Sequence, residues 1–288
     1  MKNIITLILA VAISWSLILL YQKPSGDTSH HKETAYERVI RTGVLRCAYG
    51  TWEPAVMRDP NTGQMSGFVY DFMQEVGKSL NLKVEYNLEV SWDSIATALE
   101  TGKADAHCAG VFATPARGRN LAFSNPIFFS PTVAFARKDD KRFDNNLARI
   151  NQPDVTVALS DDDITTEIYN HDFPNAKKIE LAQLSSPDEL FLTIATKKAD
   201  VTFNSPNRLI TYEKNNPGLM KIIPTAKPLR IFADVIAVNI HEDALLHMLN
   251  TAIDAEIDSG EVDKLIAKYN AKYDTSYIVP VNRPYTWK

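Results

Sequence analysis

The chain has 288 residues, 45% hydrophobic and 23% charged, with a formal net charge of −4. This balance suits a globular protein of one or two domains with enough apolar residues for a substantial core. It carries no lysine-rich run or basic stripe, which argues against nucleic acid as a partner.

The N-terminus sets the compartment. One lysine precedes an uncharged, mostly apolar run from Ile4 to Tyr21, eighteen residues long. That is near the length needed to cross a bilayer and long for the core of a signal peptide. No small-x-small cleavage site and no cysteine follow it, so residues 1–22 are expected to be an uncleaved signal anchor, with a cleaved signal peptide as the alternative. Either way the rest of the chain is exported. Residues 23–37 are polar and contain a Pro-Ser-Gly break, as a tether would. The adjacent His30 and His31 in that tether are expected to be solvated.

Beyond the tether, strand and helix patterns alternate. "VLRCA" (44–48) reads as a short buried strand. "SGFVYDFMQEVGKSL" spaces Phe68, Phe72, Val76 and Leu80 four apart, as a helix does. "KVEYNL" alternates as a strand, "SWDSIATALETG" is a helix stopped by Gly102, and "ADAHCAG" is a strand again. "FATPARGRNLAFSNP" (112–126) carries a Thr114-Pro115 pair suited to open a helix, with Arg117 in its first turn. Free N–H groups already make that end positive, so the arginine beside them points to a shared anionic partner such as a carboxylate. A surface ion pair with a nearby aspartate is the plainer alternative.

The second half repeats the scheme: "VTVAL" (155–159) as strand, "SPDELFLTIATKK" as helix, "ADVTF" (199–203) as strand. "ETGKADAHCAG" and "ATKKADVTFNS" both place Lys-Ala-Asp between a helix and a buried strand, which implies two similarly built lobes. The stretch from Glu242 reads as two helices broken at Gly260, with Leu245, Met248, Leu249, Ala252 and Ile253 as core. The whole is an α/β pattern with a mostly parallel sheet. Cys47 and Cys108 fall in strands of one lobe in an oxidising compartment. A disulfide between them is open, and two buried free thiols are the expectation. His107, inside a buried strand, is expected to be a satisfied core histidine. No Cys/His cluster has metal-site spacing and no Gly-rich phosphate loop is present, so no cofactor or metal is expected.

The order "SGFVYDF", "SWDSIATALETGKADAHCAG", "TPARGRNLAFSNPIFFSP", "KKADVTFNSP" and "IDSGEVDKLIAKY" resembles the periplasmic solute-binding proteins for polar amino acids, the receptors of ABC importers, over residues 38–273. The resemblance implies a two-lobed type II periplasmic-binding-protein fold, preceded here by the N-terminal membrane helix. Lobe 1 would be residues 38–134 plus 234–288 and lobe 2 residues 135–233, with two crossover strands and hinges near Ala134 and Ala233. It places the family's carboxylate-binding arginine on Arg117, after Thr114, and its backbone-lining glycine on Gly110. The ligand-sandwiching aromatics fall near Trp52 and Trp92, and the structural aspartate of "GFxxD" falls on Asp71.

The departures carry as much information. Asn204 stands where the family places an aspartate for the ligand's ammonium, Gly50 where an acidic residue is common, and Phe112 where a small hydroxyl residue is usual. The lobe-2 turn reads "SDDDITTE" (160–167), so Asp161, Asp162 or Asp163 are candidates for the missing charge, the alternative being a solvated turn. Arg230, near the second hinge, is a candidate to add positive charge to the site, again with a surface ion pair as alternative. A kept anion site beside a weakened ammonium site suggests a carboxylate-bearing ligand that is not an ordinary amino acid. The expected partners are that small carboxylated solute and an importer permease in the inner membrane, for a monomeric, anchored periplasmic protein. Two other classes fit the scaffold: a ligand sensor read by a separate signalling partner, and an enzyme resembling cyclohexadienyl dehydratases, with Glu167 or Asp163 as acid. Binding without turnover is the expected activity.

Overall fold

The computed structural model describes residues 33–161, 163–182, 187–273 and 278–281. The anchor expected over residues 1–22 lies outside them, as do His30 and His31. Among the described residues no helix is long and apolar enough to cross a membrane.

Helix α1 (Ala35–Thr42) opens on a capping box between Thr34 and Glu37 and ends at Gly43, whose φ of 68° is the left-handed stop that glycine favours. Then come β1 (Val44–Tyr49), a ribbon of β2 (Met57–Arg58) and β3 (Met65–Ser66), α2 (Phe68–Ser79), β4 (Lys83–Glu89), α3 (Ile95–Glu100) and β5 (Ala106–Phe112). After a turn follow β6 (Leu121–Phe123) and the long β7 (Phe128–Arg137). The next part runs β8 (Thr156–Ser160), α4 (Ile164–Asp172), β9 (Lys177–Leu181), α5 (Pro187–Ala195), β10 (Val201–Asn204), α6 (Asn207–Asn215) and β11 (Met220–Ile222). The second long strand, β12 (Arg230–Asn239), leads back to α7 (Asp243–Asp258), α8 (Glu261–Asn270) and the short β13 (Val279–Pro280).

The main sheet runs β4-β1-β5-β12-β7-β10-β8-β9. Its two outer thirds are parallel, β1 with β4 and β5, β8 with β9 and β10. The two ten-residue strands at the centre are antiparallel to each other and to their outer neighbours. Strand β7 pairs with β12 through Phe128–Thr132 and with β10 through Val133–Ala136. Strand β12 pairs with β7 through Arg230–Asp234 and with β5 from Asp234 onward. Each half has its own apolar centre. Phe68, Phe72, Phe128, Ile236 and Leu249 belong to one; Phe143, Ile150, Phe173 and Phe203 to the other.

The Lys-Ala-Asp echo has a physical basis. The Asp105 carboxylate accepts from the backbone N–H of Arg46 at 2.7 Å and from the guanidinium groups of Arg38 and Arg46. The Asp200 carboxylate accepts from the backbone N–H of Thr156 at 3.0 Å and from Arg137 and Arg142. In both halves, then, the aspartate just before a buried strand clamps the first strand of that half. The arginines compensate for burying the charge.

Two expectations are corrected. Cys47 and Cys108 are joined in a disulfide, with Cα atoms 5.5 Å apart, rather than free. The register explains it: Cys47 lies opposite Ala106 on the adjacent parallel strand, and Cys108, two residues on, shares that face. His107 is fully buried, but neither ring nitrogen has a hydrogen-bond partner, so it is not a satisfied core histidine. Burial, with the Arg117 charge adding to it, lowers its pKa to about 3 and keeps the ring neutral.

Asp71 is structural, as the resemblance implied. Its carboxylate accepts from Lys268 at 2.8 Å and from the Tyr269 hydroxyl at 3.1 Å, while that hydroxyl accepts from the Gly67 N–H at 2.9 Å. Gly67 has φ 127°, and a Cβ there would lie 2.1 Å from the Ala55 carbonyl oxygen, so only glycine fits. Tyr269 thus ties α8 to the start of α2. Tyr269→Phe is expected to cost about 1–2 kcal/mol, because it strands the Gly67 donor. Urea unfolding of the variant against the wild type measures it.

Candidate functional site

Residues from both halves enclose one cleft of about 540 Å³, including the part open to solvent. Trp52, Trp92, Gly110, Val111, Phe112 and Arg117 come from the first half, Asp163, Ile164, Asn204, Ser205, Asn207 and Arg208 from the second, and Asp234 from the crossover strand β12. The halves also touch directly. Asn207 Nδ2 donates to the Glu53 carbonyl oxygen at 2.9 Å, and Lys214 pairs with the Glu53 carboxylate at 2.7 Å.

The segment before Arg117 differs from expectation. Thr114-Pro115 opens no α-helix, only a 3₁₀ turn over Arg117–Arg119. Few residues separate Thr114 from β6, and Gly118 falls among them, too little for helix nucleation. Thr114 still caps the turn: its hydroxyl accepts from the Arg117 N–H at 3.3 Å and its carbonyl from Gly118 at 2.9 Å. Thr114 itself is buried and does not line the cleft.

Arg117 is the notable group. Its side chain is only 10% exposed. Nη1 donates to the Phe112 carbonyl at 3.2 Å, Nη2 has only a long 3.5 Å contact to Asp163, and Nε has no partner. A guanidinium offers five donors, and one that is nearly buried with so few acceptors is prepared for an anion.

Both tryptophans line the cleft but are packed rather than free-standing. Trp52 donates its indole N–H to the Ala109 carbonyl at 2.6 Å and lies against Phe68 and Phe128. Trp92 stands edge-on to His107 and covers Gly50. A Cβ at residue 50 would come within 3.1 Å of the Trp92 ring, a tight approach to which the ring would have to yield. Phe112 lines the cleft and lies tilted against Phe232, ring centroids 5.3 Å apart. Asn204 Oδ1 accepts from the Ser205 N–H at 2.9 Å.

Of the acidic turn, Asp163 faces the cleft. Asp161 is exposed and lies outside it, and Asp162 is outside the described residues. Asp163 precedes α4 without capping it by its side chain, turning its carboxylate toward Arg117 instead. Glu167 is not in the lining. Burial raises its pKa, Asp163 adds to the rise and Arg117 opposes it. Arg230 pairs with Asp172 at 2.7 Å and with His171, the surface arrangement of the alternative reading. Among the described residues no cluster of histidine, cysteine and carboxylate side chains is placed to hold a metal ion.

Beyond Val111, which lies between Gly110 and Phe112, sequence reasoning missed Ile164, Ser205, Asn207, Arg208 and Asp234. The last had a readable signal, a single acid within the apolar strand "IFADVIAV". The others follow from where α4 and α6 begin, which periodicity locates poorly.

The family model for bacterial extracellular solute-binding proteins, family 3, matches residues 45–272, which include both halves of the cleft. The chain belongs to that family. A probable histidine-binding protein of Neisseria gonorrhoeae is 29% identical over 73% of this chain and 76% of its own length. The L-cystine-binding protein TcyA of Bacillus subtilis (strain 168) is 26% identical over the same shares. Both are named as binding proteins, and this chain is likewise a solute-binding protein rather than an enzyme. Among solved structures, the fold matches an ancestral amino acid-binding protein, AncCDT-1, described as a precursor of cyclohexadienyl dehydratase. The TM-score is 0.67 at 24% identity, covering 82% of this chain and 99% of that one.

Proposed function

We propose that the chain captures a small carboxylate-bearing solute, an amino acid or related organic acid, outside the cytoplasm and delivers it to an ABC importer permease in the inner membrane. Residues 38–134 plus 234–288 and residues 135–233 act as two lobes, hinged where β7 and β12 cross near Ala134 and Ala233, and close over the ligand. The apolar run Ile4–Tyr21 directs export and holds the protein at the membrane.

The observation that carries this reading is the Arg117 guanidinium, nine-tenths buried and short of acceptors, lining a cleft shared by both halves. A ligand carboxylate would satisfy it bidentately. The relatives named for histidine and cystine put amino acids first among the candidates.

Thermal unfolding of the purified chain against amino acids, polyamines and amine-free carboxylic acids tests it. A carboxylate at about 100 times its Kd is expected to add ~2.7 kcal/mol and to raise Tm, and polyamines are expected to do nothing. Stabilisation by polyamines alone would contradict the reading.

A further inference from the structure

Asn204 leaves the site without the acid expected to hold a ligand's ammonium group, yet two acceptors in the cleft lack partners. Asp234 is 2% exposed and its Oδ2 has no hydrogen bond; Asn207 is 4% exposed and its Oδ1 has none. Both residues line the same cleft as Arg117. Asn207 has its amide nitrogen committed to the Glu53 carbonyl, which leaves its oxygen for the cleft. Asn204 is the reverse case, since its Oδ1 already serves the Ser205 N–H. A buried carboxyl oxygen without a partner is costly unless something completes it.

Position favours Asp234 further. It lies where β12 leaves β7 for β5, opposite both Phe128 and Phe112. Its carboxyl sits over Gly110, whose φ of 74° suits glycine; a Cβ there would stand 3.6 Å from Asp234 Oδ1. The other acid in the cleft, Asp163, is turned to Arg117.

We infer that Asp234, with Asn207 beside it in the lining, is the subsite for the ligand's cationic group, so that the solute is a zwitterion bearing an ammonium as well as a carboxylate. This rests on the carboxylate reading above and deepens it: the charge absent at Asn204 is supplied from the crossover strand.

The inference has a pH signature. Burial raises the Asp234 pKa well above the usual carboxylate range, and only the Ser130 hydroxyl of β7 opposes the rise. The other charged groups that line the cleft with it are Arg117 on its turn, Asp163 by α4 and Arg208 on α6, and the neutral His107 lies on the neighbouring strand β5. A protonated Asp234 must lose its proton to pair with an ammonium: –COOH and –NH₃⁺ become –COO⁻ against –NH₃⁺, with one H⁺ released to solvent. Binding of an amine-bearing ligand should therefore release protons, and weaken as pH falls through the raised Asp234 pKa.

Calorimetry on the whole chain with three matched pairs tests this: L-glutamine with glutaramate, L-leucine with isocaproate, and L-histidine with imidazolepropionate. Each amino acid that binds is expected to do so about 10- to 100-fold more tightly than its deaminated twin, and Asp234→Asn is expected to remove most of that preference. L-Glutamine or L-leucine, whose side chains do not titrate, should release protons in the wild type but not in the variant. If both members of a pair bind alike and Arg117→Ala abolishes both, the carboxylate reading stands and the Asp234 inference falls. If Asp163→Asn removes the preference and Asp234→Asn keeps it, the subsite is at Asp163 and the inference also falls. If no member of any pair binds the folded chain, both fail together.

Discussion

Replacing Arg117 by alanine is expected to weaken binding of any carboxylate ligand by about 100-fold or more, near 3 kcal/mol, while leaving the fold nearly as stable as before. The asymmetry follows from its contacts. In the structure the guanidinium holds one carbonyl at 3.2 Å and one long carboxylate contact at 3.5 Å, so the fold loses little with it. A bound carboxylate, by contrast, would lose a charge-assisted pair in a nearly water-free setting. Arg117→Lys should fall between, because an ammonium keeps the charge but not the fork that fits a carboxylate. Titration calorimetry with the tightest-binding amino acid, alongside thermal melting of each free variant, separates the two effects. A variant that melts far lower but binds unchanged would make Arg117 a structural residue.

Removing the Cys47–Cys108 bond is expected to produce the largest change in stability. The bridge spans 61 residues of sequence, a loop whose closure lowers the entropy of the unfolded chain by about 4 kcal/mol in free-energy terms. For a chain of this size that corresponds to a fall in Tm of roughly 10 °C. The bond ties β1 to β5, and β5 carries Gly110 and Phe112 into the cleft, so the loss should reach the first half of the site. Melting the Cys47→Ala/Cys108→Ala variant beside the oxidised and dithiothreitol-treated wild type checks this. Coincident curves for all three would mean that the bridge constrains nothing.

Much of the fold was readable because its elements are short and locally marked. Phe68, Phe72 and Val76 lie on one face of α2, and the two Lys-Ala-Asp turns foretold two halves built alike, down to the aspartate that clamps the first strand of each. The disulfide was not readable. It depends on Cys47 standing opposite Ala106 across a parallel pair, and register between strands separated by more than fifty residues leaves no local trace. The helix expected after Thr114 failed because spacing to the next strand and Gly118 outweighed a good cap.

The cleft was partly legible for a similar reason. Arg117 was singled out from the turn opened by Thr114-Pro115, and Trp52, Trp92, Gly110, Phe112, Asp163 and Asn204 from the family resemblance and the departures from it, and they line one cavity. Asp234 was passed over because it sits mid-way along a strand, where side chains usually serve packing. Only the crossing of β12 from β7 to β5 turns that position toward the cleft. His107 shows the opposite limit. Its burial was legible, but its lack of partners depends on which atoms surround it.

The central claim is that solute binds in this cleft and is held there through Arg117. The chain's four tryptophans are Trp15, Trp52, Trp92 and Trp287, and Trp52 and Trp92 both line the cleft. With Trp15 and Trp287 changed to phenylalanine, emission comes from the cleft alone. Titrating L-histidine, L-glutamine and L-leucine into that protein should give a saturable, one-to-one change in emission for at least one of them. The same titration should be flat, at matched concentrations, once Arg117 is alanine. An unchanged titration in the Arg117→Ala background, or no response to any carboxylate in a folded protein, would contradict the account.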